Sequence, residues 1–124
     1  MTFSRKNLGR KGERIAERFL KTSGHRILAR NWSAPQGELD LVAQSKRDGR
    51  ILFVEVKTRT SESVALAEQA VGRQKQRHIV RTAQAYLKAK RIPDDTPLRF
   101  DVIAVIFAPD GKPEVRHTPG AFRS

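Results

Sequence analysis

Asp40, Glu55 and Lys57 stand where charge is least expected. In "GELDLVAQSKRDGRILFVEVKTR", Gly37 to Arg59, all three lie inside apolar, strand-like runs and not in the polar turn between them. Side chains alternate across a strand, so residues two apart share a face. Leu39, Leu41 and Ala43 then share one face of the first run, with Glu38 and Asp40 on the other. In the second run Leu52, Val54 and Val56 share a face, and Glu55 and Lys57 lie opposite. A two-residue turn at Asp48-Gly49 pairs Asp40 with Lys57. A four-residue loop "KRDG" pairs Ser45 with Arg50 and Asp40 with Glu55. Directly opposed residues are roughly 5 Å apart at Cβ and diagonal ones roughly 7–8 Å, so both registers bring the three charges together.

Two carboxylates this close repel, by about 4 kcal/mol at 4 Å and an effective dielectric of 20. Lys57 relieves part of that, and a divalent cation relieves more. Mg²⁺ commonly uses one or two carboxylates and completes its shell with water and phosphate oxygens. Such an ion activates a water and offsets charge on a phosphate under attack; a neighbouring lysine orients the nucleophile or stabilises that charge. The plainer alternative is a solvated Asp–Lys or Glu–Lys pair, worth about 0–1 kcal/mol. Charge inside so apolar a run as "ILFVEV" favours chemistry.

The whole chain supplies a matching partner. Lys and Arg number 25 against 13 Asp and Glu, a net charge of +12 with a pI near 11.1. So basic a small domain usually meets a polyanion. Nucleic acid is the first candidate and an anionic membrane surface the second, because the basic residues recur throughout and do not gather in one amphipathic anchor. Lys75, Arg77 and Arg81 are the helical residues suited to a phosphate backbone. Lys75 also interrupts the apolar stripe between Val71 and Ile79, which points it towards the acidic face. With no cysteine, thiolate chemistry is excluded. His25, His78 and His117 lack metal-ligand spacing, and neither a Gly-rich phosphate loop nor a Ser-His-Asp series stands out. The basic start "MTFSRKNLGRKGER" has no apolar segment behind it, unlike a secretory signal. The longest apolar run, "FDVIAVIFAP", is short of the roughly 20 residues that span a bilayer. A soluble, cytoplasmic protein with no membrane partner is the expectation.

The elements that must hold these residues are legible in outline. The 124 residues suit one domain, with irregular ends over about 1–6 and 118–124. Leu8 to Thr22 has helical periodicity, with Ser4 or Asn7 as cap and Gly24 beyond its end. Strands follow at His25 to Trp32, Leu39 to Gln44 and Ile51 to Thr58; Asp48-Gly49 marks the hairpin between the last two. A second helical region spans Ser63 to Lys90, with Val64, Ala67, Val71, Ile79, Ala83, Tyr86 and Leu87 along one face and Gly72 as a point of breakage or bending. "LRFDVIAVIF" reads as a strand buried on both faces, and Asp101 within it as a structural hydrogen-bonding group. "PEVRHT" reads as a short edge strand. This is an α/β domain: a three-stranded meander, then a helix that returns the chain to the sheet.

Asp40, fourteen residues, then Glu55-Val56-Lys57 resembles the PD-(D/E)xK signature of restriction-endonuclease-like nucleases. The ordered blocks "GRKGERIAERFL", "GHRILARNW", "GELDLVA", "LFVEVKTR", "AVGRQKQRHIVRTAQAYL" and "RFDVIAV" resemble the bacterial YraN family, also called UPF0102, over about Asn7 to Phe107. The resemblance implies an αβββαβ core with a mixed central sheet flanked by helices, and a likeness to archaeal Holliday-junction resolvases. It implies a metal-dependent DNA nuclease, selective for branched or junction DNA, in which Asp40 and Glu55 bind Mg²⁺ or Mn²⁺ and Lys57 assists the attacking water. It further implies that Glu13, in "GERIAE", supplies a third acid; by itself Glu13 reads as a helix-surface charge between Arg10 and Glu17. Leu39 replaces the motif's proline, and Glu38 is an extra acid without an assigned role. The alternative is a non-catalytic nucleic-acid-binding protein that keeps the fold. Oligomeric state stays open, a homodimer being suited to a two-fold symmetric substrate.

Overall fold

The computed structural model describes residues 5–60 and 71–124. Seven elements follow in order: α1 (Arg5–Thr22), β1 (His25–Ala34), β2 (Gly37–Ser45), β3 (Ile51–Thr60), α2 (Arg73–Ala89), β4 (Leu98–Phe107) and β5 (Pro113–Phe122). The strands form one sheet in the order β1-β2-β3-β4-β5. The meander β1-β2-β3 is antiparallel, β3 and β4 are parallel, and β5 returns antiparallel to β4. The expected α/β class is met, with β5 added to the expected core.

A helix covers each face of the sheet. Ala16 and Leu20 of α1 pack with Leu41, Ala43, Leu52, Val54, Ile103 and Val105. Ile79, Ala83 and Tyr86 of α2 pack with Leu39, Val42, Phe53 and Phe100. On the α2 side aromatic rings run across the sheet, Trp32 edge-on to Tyr86 at 5.3 Å, Phe53 stacked on Phe100 at 5.4 Å and Phe100 on Phe122 at 5.1 Å. β4 is buried on both faces from Phe100 to Phe107, as its unbroken apolar run requires.

Several boundaries depart from the sequence expectation. α1 begins at Arg5, so Asn7 lies inside the helix and does not cap it; Ser4 lies outside the described residues. Of the second helical region, residues 63–70, including Val64 and Ala67, also lie outside them. The described helix starts after Gly72, whose extended backbone (φ −62°, ψ 154°) makes it the N-cap. The end of the chain is not irregular from 118 onwards, because β5 continues to Phe122. Two contacts hold it there. Phe122 stacks on Phe100, and Gly120, at φ 59°, donates its N–H to Asp101 Oδ1 at 3.0 Å.

Asp101 is fully buried, and its carboxylate accepts four bonds. Arg99 gives two, Nε to Oδ1 at 2.8 Å and Nη2 to Oδ2 at 2.9 Å; His117 Nε2 lies 2.7 Å from Oδ2; Gly120 gives the fourth. The group bridges the irregularity between Phe100 and Val102, where the β4–β5 ladder loses register. This is the structural role expected of it.

Gly12 sets how closely α1 approaches the sheet. A Cβ built there would lie 2.0 Å from Thr58 Oγ1 and 3.0 Å from Thr58 Cβ. Only a residue without a side chain lets the helix pass so near β3. Gly12→Ala should therefore destabilise the domain by about 1–3 kcal/mol through overpacking. Adding Thr58→Ala should recover part of the loss. Urea unfolding of both variants checks this; a single variant as stable as wild type would contradict the close approach.

Candidate functional site

The β2–β3 hairpin adopts the four-residue loop. Ser45 N–H donates to the Arg50 carbonyl at 2.9 Å, and Leu41 pairs with Val54. Asp48 accepts from the Arg50 N–H at 3.0 Å and Gly49 takes φ 76°, so the Asp-Gly pair builds the loop without being the whole turn. This register sets Asp40 opposite Glu55.

Regular pairing ends one step before that. The β2–β3 ladder closes at Leu41 and Val54, and beyond it the Asp40 side chain takes the place of a backbone partner. Asp40 Oδ2 accepts the Val56 N–H at 2.8 Å. Alternation slips here too. Leu39 packs on the α2 side with Val42, and is not on the face of Leu41 and Ala43 as expected. β1 shows the same slip: Ala29 and Trp32 both pack on the α2 side, with Asn31 between them at φ 48°. A left-handed residue resets which face the next side chain takes.

The carboxylates of Asp40 and Glu55 meet at this fork. Burial, then the charge of Glu55, raises the Asp40 pKa to about 7, although the Val56 N–H opposes this. Glu55 is only 8 % exposed, and Lys75 reaches it from the first turn of α2, with Nζ 2.6 Å from Oε1. Burial lowers the Lys75 pKa, but the bond to Glu55 outweighs it and the net shift is upward. Lys57, on the same strand as Glu55, is shifted downward by burial and by the charges of Arg59 and Lys75, with Glu55 pulling the other way.

Glu13 enters from α1, in the turn seated by Gly12. Its pKa is raised by burial first, with Asn31 opposing through a side-chain hydrogen bond and Glu38 and Glu55 adding repulsion. It belongs to the electrostatic neighbourhood of the pair, yet among the described residues no three Asp, Glu, His or Cys side chains group closely enough to hold a metal ion. Glu17 is engaged elsewhere, by Arg30 and by Lys21 at 3.1 Å.

An open cavity of about 750 Å³ fronts the pair, lined by Glu38, Asp40, Glu55, Gly72, Arg73, Gln74, Lys75 and His78 among others. Spacing does not single out Gln74 and His78; only their place in the helix turn of Lys75 would find them. Gly72 provides no side-chain cap, and the first turn of α2 carries no acid. The positive end of the helix therefore faces the cavity, an arrangement that favours anions. Arg77 and Arg81 line a different groove, on the far side of α2.

A cation fits the donor set of Asp40 and Glu55. Burial and mutual repulsion make two negative charges costly here, and the Lys75 ammonium already offsets part of the charge on Glu55. Mg²⁺ needs only one or two such carboxylates. Asp40→Asn keeps the acceptor for the Val56 N–H and removes the repulsion. Because the folded pKa of about 7 lies above the usual 3.8, ionising Asp40 opposes folding: stability present below about pH 4 is lost as pH rises through 7. Metal-free Asp40→Asn should thus melt several degrees above wild type at pH 8, with the difference shrinking as pH falls towards 4. Wild type, and not the variant, should be stabilised by Mn²⁺. Melts in EDTA and in Mn²⁺ test both; a destabilised Asp40→Asn with a metal-indifferent wild type would leave a plain salt-bridged hairpin.

A mixed five-stranded sheet in the order αβββαββ, a helix on each face and an acidic pair at the fork of β2 and β3 define an α/β domain consistent with a restriction-endonuclease-like core. The chain belongs to the family described as "Uncharacterised protein family UPF0102", whose model matches residues 12–105. It is similar to the "UPF0102 protein" of Syntrophotalea carbinolica, 51 % identical over 98 % of this chain and 96 % of the relative. The "UPF0102 protein" of Geobacter metallireducens is 43 % identical over 98 % and 97 %, and that of Lachnoclostridium phytofermentans 42 % over 89 % and 87 %. Among the described residues no helix is long and apolar enough to cross a membrane.

Proposed function

We propose that the protein is a metal-dependent nuclease that hydrolyses phosphodiester bonds in DNA, with a preference for branched or junction substrates. The observation that carries the reading is the Asp40–Glu55 pair, joined by Lys75 in a cavity faced by the positive end of α2; Lys57, next but one to Glu55 on β3, does not line that cavity but lies within reach of the Glu55 charge. Asp40 and Glu55 would hold Mg²⁺ or Mn²⁺, with Glu13 adding negative charge from α1. When bound, that ion supplies charge neutralisation at the scissile phosphate and a more acidic water. Lys57 orients the attacking water and offsets charge developing on the phosphate oxygens. Lys75, at the edge of the cavity, and the N–H groups of the first turn of α2 would offset charge on the phosphate oxygens. Water adds to phosphorus as the bond to the leaving ester oxygen breaks, and the leaving oxygen ends protonated.

A non-catalytic nucleic-acid-binding protein is the second reading. It is favoured by the lack of a third acid at ligand distance among the described residues and by the Lys75–Glu55 bond, which already neutralises part of the pair. A panel of linear, flapped and four-way-branched DNAs with Mg²⁺, Mn²⁺ or EDTA separates the two. Metal-dependent cleavage abolished by Glu55→Gln supports the nuclease. Binding without cleavage under every condition supports the second reading.

A further inference from the structure

The far side of α2 carries a second basic feature, separate from the carboxylate cavity. A groove of about 460 Å³ between α2 and the end of β5 is lined by Arg73, Arg77, Arg81 and Arg123, with Val80 and Gln84 between them. All four arginines are exposed. Among the described residues no Asp or Glu side chain lines the groove, which Ser124 completes beside Arg123, and the ion pairs seen among them involve none of the four arginines. Like charges gathered in this way raise the local potential, which draws an anion.

The chemistry of the lining narrows the choice of anion. A guanidinium presents a planar fork of donors that matches two oxygens of one phosphate. Arg73, Arg77 and Arg81 recur every four residues, so each is about 6 Å farther along the helix axis than the last. That makes a row suited to successive phosphates of one strand. Among the described residues no aromatic side chain lines the groove, so the lining offers no platform on which unpaired bases could stack. It is therefore suited to a backbone whose bases are occupied elsewhere, in a duplex. Arg73 lines both this groove and the carboxylate cavity, which joins the two around the start of α2.

We infer that this groove holds the phosphate backbone of a nucleic-acid duplex flanking the bond presented to Asp40 and Glu55, without regard to sequence. The inference rests on nucleic acid being the partner, but not on the carboxylate pair being catalytic. Arg123, near the end of the chain, thereby acquires a binding role.

The test is fluorescence anisotropy with a labelled DNA duplex in EDTA, so that binding is read without cleavage, over a series of NaCl concentrations. Arg77→Ala/Arg81→Ala should weaken binding about tenfold or more near 0.1 M salt and reduce the slope of log K against log salt by about 2, about one for each phosphate that is no longer neutralised. Arg123→Ala should reduce it by about 1, and a duplex of shuffled sequence should bind equally. Lys46→Ala/Arg47→Ala, in the β2–β3 loop, is the control for a non-specific loss of charge and should change the slope less. Circular dichroism melts verify that the variants, all at exposed positions, remain folded. An unchanged slope in both arginine variants would overturn the inference, as would a preference for single strands or equal dependence on these arginines in binding phosphatidylserine vesicles. Failure of the groove leaves wild-type cleavage intact in the arginine variants; failure of the nuclease reading leaves arginine-dependent binding without cleavage.

Discussion

Lys57→Ala is expected to reduce metal-dependent cleavage by about two to three orders of magnitude, the usual cost of removing one positioned group that stabilises transition-state charge. Duplex affinity should stay within about threefold of wild type. Lys57 is one of 25 basic residues, so its share of ground-state attraction is small. On the proposed nuclease reading its value lies in position: it is half-buried, next but one to Glu55 on β3, where charge would develop only as the phosphate is attacked. Lys57→Arg keeps the charge but exchanges a compact ammonium for a planar fork, and should restore only part of the rate. Single-turnover cleavage beside anisotropy in EDTA separates the two quantities. A variant that cuts at the wild-type rate removes Lys57 from the chemistry; one that loses binding and cleavage equally makes it a docking residue.

The second large effect concerns the fold. Asp101→Ala strips four donors of their acceptor in a fully buried place. Breaking a buried charge pair from one side typically costs about 3–5 kcal/mol, out of a total that for most domains is about 5–15 kcal/mol. A fall in Tm of roughly 10 °C or more is expected. Asp101→Asn retains the shape and one acceptor oxygen and should lose less. The pH dependence has the opposite sign to that of Asp40. Burial alone would raise the Asp101 pKa, but the bonds from His117, Arg99 and Gly120 bring it down to about 2, below the usual 3.8. Its contribution is therefore present above about pH 4 and lost as pH falls towards 2. Wild type should lose stability over that interval more steeply than Asp101→Asn. Equal acid sensitivity of the two would place the acid transition on other carboxylates.

The elements are legible in the sequence because their periodicities are strong: the helical stripe through Ile15, Ala16 and Phe19, and the unbroken run of β4. Alternation also brings Asp40 near Glu55 without choosing the register. That choice is made by the Ser45–Arg50 pairing, since propensity does not decide between a two-residue turn and a four-residue loop. The face slips are hidden because strict alternation assumes regular extended pairing, whereas the β2–β3 ladder ends at Leu41, just past Leu39, and β1 is left-handed at Asn31. Lys75 leaves a faint trace, a charge in an apolar stripe, whereas Gln74 and His78 leave none; their place at the cavity depends on the angle at which α2 crosses the sheet. The order at the end of β5 escapes the sequence for a similar reason. "PGAF" has the composition of a loop, and what orders it is a carboxylate nineteen residues earlier in the chain.

The irregularities at the two margins of the sheet bear on how copies of the protein behave towards one another. Among the described residues β1 and β5 are the margins of the sheet, each with one neighbouring strand. β1 is interrupted by the bulge between Ile27 and Ala29, and the β4–β5 ladder shifts between Phe100 and Val102. Bulges twist an edge away from the flat template that an incoming strand needs. Exposed charges on the margins, Arg26 and Arg30 on one and Glu114 and Arg116 on the other, add a desolvation cost to any such approach. With +12 on every molecule, copies also repel before their edges meet. The sheet is thereby protected from growing by addition of strands from neighbouring molecules, and a concentrated solution is protected from that route to aggregation.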